Sequence, residues 1–238
     1  MPGESARLRE MNEPVHRAAH KRAAKAATSR AAEPRTNDPE RTMAGILAVA
    51  TREFSDKGLS GARIDEIAAA TSTSKRMIYY YFGSKEGLYV AVLEEAYRRI
   101  RQIETELHLE DLPPEEALRK LVGFTFDYQL DNPDFIRLVM TENIHRGQFL
   151  AQSKSIQQLN IPVIAAVQSV YERGLAAGVF RKDIDPIDLH QSISALCFFN
   201  VSNRHTFALI FKRDLESARA VAARRESIVE MVVRFVRE

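Results

Sequence analysis

The stretch Ser74-Lys75-Arg76-Met77-Ile78-Tyr79-Tyr80-Tyr81-Phe82-Gly83-Ser84-Lys85 decides how this chain is read. The Ser74 hydroxyl can cap a helix by accepting from the amides that follow it. At about 100° per residue, that helix gathers Ser74, Ile78, Tyr81 and Phe82 in one sector and Lys75, Arg76, Tyr79 and Tyr80 opposite. The apolar sector packs and the polar sector is presented. Between Ser72 and Lys85 stand three cations and no acid. Two cations beside two tyrosines suit DNA: Arg or Lys reaches the O6/N7 edge of guanine, while tyrosine hydroxyls and lysines hold phosphates. The recognition helix is therefore placed from about Lys75 to Tyr81.

Upstream, Ile64, Ile67 and Ala68 make a short helix, and a turn of three to four residues separates it from Ser74. Before that, Asp38-Pro39-Glu40 is a helix start, and Ile46, Leu47, Ala50 and Phe54 recur at helical spacing until the stop at Lys57-Gly58. Two short helices joined by a turn and buttressed by a third form the arrangement that lays a recognition helix in the major groove. Downstream, Ser84 caps a long helix whose inner row is Leu88, Val92, Ala96, Ile100, Ile103 and Leu107.

The helical pattern continues to the end. After Pro113-Pro114, residues Leu118, Leu121, Val122, Phe124, Phe126 and Tyr128 make a helix apolar nearly all round, which implies burial. Asn132-Pro133 starts another, through Arg146-Gly147, and a longer helix leads to Gly178, with Pro162 near its start or breaking it. Asp185-Pro186 opens a helix from Ile187 to about Val201, and Val221 to Val236 closes the chain. The fold class is all-α, with nine or ten helices and no sheet.

At 238 residues and 45% apolar content the chain can bury one sizeable core or two smaller ones. Its net charge of +2 hides an asymmetry: residues 1–37 hold eight Lys/Arg against four Glu, whereas residues 86–238 hold nineteen against twenty-two acids. The first segment lacks sustained apolar periodicity and is read as a disordered basic arm, either adding non-specific DNA affinity or serving as a dispensable tail. Cys197, the single cysteine, cannot form an internal disulfide and reads as a packed thiol. With no apolar run of roughly 18 to 20 residues, the chain reads as cytoplasmic with no membrane partner. Glu142 and His145 are three apart, and His190 and His205 lie elsewhere, but two ligands do not make a metal site. No metal, cofactor or catalytic residue is expected, since nucleophile elbow, phosphate-cradling glycine loop and zinc spacing are all missing.

At Ile67-Ala68, Ser74, Tyr79-Tyr80-Tyr81-Phe82, Ser84-Lys85 and Leu88 the sequence resembles the TetR family of bacterial regulators, over about residues 39–99. The resemblance implies phosphate contacts from Thr73, Tyr80 and Lys85 and base contacts from Lys75, Arg76 and Tyr79, with Ser74 at the helix start. It also implies a DNA-binding domain over 38–99, its helix-turn-helix at about 63–82, and a ligand-binding and dimerisation domain over 100–238. The family pairs as homodimers through its last two long helices, here about 186–204 and 221–236, where Leu196, Phe199, Val232 and Phe235 suit a four-helix seam or else an internal core contact. A small-molecule inducer occupies the second domain, and Phe124, Tyr128, Phe135, Asn143, Tyr171 and Phe198 are candidates to line its pocket or else plain core. The expected function is a repressor released from double-stranded operator DNA by that inducer, the rival being a ligand-independent architectural or cell-division protein on the same fold. Asn143-Ile144-His145-Arg146, Gly178 and Asp185-Pro186 resemble a subgroup repressing catabolism of nicotinate-type aromatics.

Two departures from the family pattern stand out. Ala62 replaces a usual Thr or Ser before the second helix, a lost cap that costs about 1 kcal/mol. Thr71-Ser72-Thr73 replaces Ala-Gly-Val in the turn, so Ser72 must tolerate positive φ or reshape the turn.

Overall fold

A computed structural model describes residues 38–238, and the expected basic arm at 1–37 lies outside the described residues. The expected helical class is what forms. Ten α-helices run in chain order: α1 Pro39–Gly61, α2 Ile64–Ala70, α3 Lys75–Phe82, α4 Lys85–Thr105, α5 Pro114–Asp131, α6 Pro133–Ile144, α7 Ile156–Ala176, α8 Pro186–Ser202, α9 Arg204–Phe211 and α10 Ala218–Val236. Two 3-10 turns and one isolated bridge, Phe180 to Arg237, complete the regular structure among the described residues. No helix among them is long and apolar enough to cross a membrane.

Local chemistry explains most boundaries. α5, α6 and α8 start with proline, whose missing N–H is harmless in a first turn. Asp185 Oδ1 accepts from Ile187 N at 2.7 Å. α1 is interrupted at Gly58, where φ is +66°, a value glycine reaches without strain. Pro162 lies inside α7 without ending it. α6 stops at Ile144, earlier than expected, because Arg146 and Gly147 both turn to positive φ.

Residues Glu40–Glu238 form one unit with two apolar clusters. The front cluster joins Ile46, Ala50 and Phe54 of α1, Ile67 of α2, Ile78 of α3, and Leu88, Tyr89, Val92 and Leu93 of α4. Leu138, Phe149 and Ile156, far later in sequence, complete it. The rear cluster is built from α5, α7, α8 and α10 around Leu121, Val122, Phe126, Val167, Ile193 and Val229. Cys197 is buried there, and burial pushes its thiol up to about 12, so it is an inert packing group.

Two expectations change. Val232 does not face outward beside Phe235: it is 3% exposed within its own chain's core, while Phe199 and Phe235 remain exposed. α9 was not foreseen, and its last turn leaves Leu209 and Ile210 79% and 71% exposed.

Tyr171 pins the connection between α7 and α8. Its hydroxyl donates to Arg181 O at 3.0 Å and accepts from Ile184 N at 3.1 Å, with the ring buried. Tyr171→Phe leaves a buried amide without its acceptor, so urea unfolding should show a loss of about 1–3 kcal/mol.

Candidate nucleic-acid interface

The interface is built from α2, its turn and α3. α2 ends with Thr71 as the last half-helical residue and Ser72 at φ +52°. Thr73 N donates to Ala68 O at 3.0 Å and Ser72 N to Ala69 O at 3.3 Å, the paired bonds of a Schellman stop. Ser72 thus occupies the left-handed position that glycine favours. Of the two expected outcomes, positive φ and a reshaped turn, the first is what forms.

The uncapped start of α2 lies one residue later than expected. The cap position is Arg63, which offers no side-chain acceptor, while Ala62 is buried. Glu53 of α1 accepts from Arg63 N at 3.1 Å, and Asp65 and Glu66 place negative charge in the first turn. Lys57 holds Glu66 and depresses its carboxyl below the usual range.

α3 begins as the sequence implies. Ser74 Oγ accepts from Met77 N at 3.2 Å, and Ser84 Oγ repeats the device for α4 on Gly87 N at 2.9 Å. Ile78 is fully buried, and Tyr81 and Phe82 pack half-buried against the front cluster. Lys75, Arg76, Tyr79 and Tyr80 are exposed, Tyr80 to 77%. Thr73, half-buried, donates its hydroxyl to Thr71 O at 3.3 Å. Lys85 sits on the first turn of α4, its Nζ 3.4 Å from Ser60 O.

The cations differ in a way the helical wheel could not show. Lys75 pairs with Asp65 of α2, whereas Arg76 has no carboxylate partner among the described residues. Arg76 is therefore the freer charge. Gly87 is a further positional requirement that sequence reasoning missed: a Cβ there would stand 2.1 Å from Phe82 O, so only glycine lets α4 start this close to the end of α3.

The six pocket candidates separate. Phe124, Tyr128 and Phe135 form an aromatic chain, with ring centroids 5.7 and 6.2 Å apart, that Tyr97 extends at 5.4 Å from Phe135. Tyr128 and Phe135 also line a groove of about 740 Å³ bounded by α1, α4 and the α5–α6 junction. Burial raises the Tyr128 hydroxyl's pKa. Asn143 is exposed, bonding back to Val139 O at 2.9 Å, Tyr171 is committed to its connection, and Phe198 is half-buried on α8. Glu142 and His145 both serve backbone: Glu142 Oε2 accepts from Leu150 N at 2.9 Å, and His145 Nδ1 contacts Thr141 O at 2.8 Å.

A capped helix that shows cations and tyrosines to solvent, held by a short turn on a three-helix core, defines a helix-turn-helix DNA-binding protein. Comparison with known proteins fixes which kind. Residues 46–92 match the family described as bacterial regulatory proteins, tetR family, and residues 114–232 match the tetracyclin repressor-like, C-terminal domain. The HTH-type transcriptional repressor NicS of Pseudomonas putida is 37% identical over 85% of this chain and 96% of its own length. The HTH-type transcriptional repressor SCO4008 of Streptomyces coelicolor is 32% identical over 58% of this chain and 69% of its own. Among solved structures, the putative transcriptional regulator SCO4942 of Streptomyces coelicolor superposes with a TM-score of 0.60 at 27% identity, covering 82% of this chain and 98% of that one. The chain belongs to the TetR family of bacterial transcriptional regulators.

The strained turn yields a direct test. Ser72→Gly should stabilise the protein by about 1 kcal/mol in denaturant unfolding, because the left-handed conformation stops clashing with a Cβ. An unchanged or lowered midpoint would mean that Ser72 is not strained.

Proposed function

We propose that the chain is a dimeric repressor whose α3 reads operator DNA and which leaves that DNA when a small molecule occupies its C-terminal part. The observation that carries this reading is the uncovered face of α3, where Arg76, Tyr79 and Tyr80 stand exposed beside Lys75. In this assignment Arg76, Lys75 and Tyr79 meet base edges, Thr73, Tyr80 and Lys85 hold phosphates, and Ser74 fixes the helix start. Lys85 stands on the first turn of α4, where the helix dipole favours a phosphate. The repressors named among the relatives support the sign of regulation.

Residues 38–99 serve as reading head and 100–238 as sensing and pairing body, with the basic arm at 1–37 adding non-specific affinity. A two-fold operator needs two heads about one helical turn apart or a multiple of it, so the chain pairs with a second copy. The faces for this are the exposed residues of α8 and α10, Ile187 and Phe199 on one and Met231 and Phe235 on the other. An inducer beside Phe124, Tyr128 and Phe135 would lie against the groove that borders α1 and α4 and so bear directly on the head.

Mutants separate the assigned roles on an operator selected from random DNA. Lys85→Ala should weaken binding to all sequences and lower the salt slope by about one unit, whereas Arg76→Ala should relax preference at particular bases by about 1–3 kcal/mol. Uniform losses from both would overturn the division of labour. Asp65→Asn frees Lys75 and removes a carboxylate near the phosphates, so affinity measured by fluorescence anisotropy should rise roughly five-fold at low salt. A fall in affinity would show that the Lys75–Asp65 pair is needed to aim the lysine.

A further inference from the structure

Away from the aromatic chain, a chamber of about 380 Å³ lies between α5, α8, α9 and the start of α10. Its walls are largely apolar: Phe126 of α5, Phe199 of α8 and Phe207 of α9 contribute rings, and Phe199 and Phe207 meet edge to face at 5.7 Å. Its polar lining has one sign. Arg204, Arg213 and Arg224 line it, and no carboxylate does.

The neighbouring acids are placed so that this charge is not cancelled from within. Asp127, next to Phe126 in sequence, is held from two sides by Arg225, at 2.8 Å to each carboxylate oxygen. Glu216 approaches Arg204 Nε at 3.4 Å but is itself 65% exposed and outside the lining. Arg204 Nε is buried without a hydrogen-bond partner among the described residues. Arg224 Nε donates to Asn200 Oδ1 at 2.9 Å, an arrangement that orients the guanidinium rather than neutralising it.

We propose that this chamber is a binding site for a small amphiphilic anion, an apolar body of roughly a dozen heavy atoms or fewer ending in one carboxylate, with the carboxylate on Arg204, Arg213 and Arg224. The volume falls at the lower end of what small-molecule sites occupy, about 300–1,000 Å³. Guanidinium forks are the side chains best matched to a carboxylate, and apolar walls with a few convergent polar groups are how such sites fix orientation. The chamber also touches α8 at Phe199, on the face assigned to the partner subunit, so an occupant lies where it can alter how two heads are spaced. That last consequence rests on the ligand-relieved repressor reading, whereas the site itself does not.

The test is titration calorimetry of the full chain with sodium benzoate and sodium hexanoate, each compared with its neutral amide. At least one carboxylate should bind ten-fold or more tightly than its amide, and Arg204→Gln/Arg213→Gln should weaken it at least ten-fold. Binding of benzoate alone or hexanoate alone supports the site and identifies the apolar body as aromatic or aliphatic. Arg213→Gln by itself, at an exposed position, guards against a folding defect in the double variant: it should weaken carboxylate binding with an unchanged thermal midpoint. Equal affinity for carboxylate and amide, undiminished binding in the variants, or no carboxylate binding up to about 10 mM would overturn the proposal. Carboxylate binding that leaves operator affinity unchanged would support the site and remove this chamber's part in release, so the two ideas fail separately.

Discussion

Burial of Ile78 is the interaction on which the rest depends. α3 is eight residues long, too short to be stable alone, and Ile78 is its one fully buried side chain. It enters the cluster made by Ile46 and Phe54, Ile67, and Leu88 and Val92, so three other helices converge on it. Truncating such a side chain typically costs about 2–5 kcal/mol, which is large against the stability of a whole domain. Because Ile78 must point inward, helical geometry turns Arg76, Tyr79 and Tyr80 outward. The exposed face of α3 follows from the core constraint.

The same cluster ties the first four helices to later parts of the chain. Leu138, Phe149 and Ile156 pack among residues of α1 to α4, and α4 continues past the head with Ile100 buried. Glu142, itself buried, fastens Leu150 N, and Ser153 donates to Glu94 of α4 at 2.6 Å. A displacement of α6 or of the segment after it therefore acts on groups that share a packed core with α3. Close-packed interiors pass on such displacements because they leave little free volume to absorb them.

Much of this was legible from local chemistry. Ser74 and Ser84 cap as read, the proline starts at Pro114, Pro133 and Pro186 are where helices begin, and Ser72 takes the positive φ that the missing glycine implied. What escaped was set by partners distant in sequence or by contacts without a motif. A helical wheel shows that Val232 is apolar but not which of two possible partners covers it, and its own core does. The pairing of Lys75 with Asp65 needs the angle between α2 and α3, which sequence does not state. Gly87 looked like an ordinary helical residue until Phe82 O lay against it. α9 escaped because its apolar residues Leu209, Ile210 and Phe211 are consecutive and exposed, with no buried stripe to reveal a period. The arginine chamber gathers residues from α5 to α10 and has no linear signature at all.

Selection of DNA bound by the purified full chain from a random pool tests the central claim most directly. The account predicts enrichment of a two-fold symmetric sequence whose half-sites are about one helical turn or a multiple apart, and loss of that enrichment when the α3 face is changed by Arg76→Ala with Tyr79→Ala. Recovery of no sequence preference, or of the same preference by the α3 variant, would contradict it.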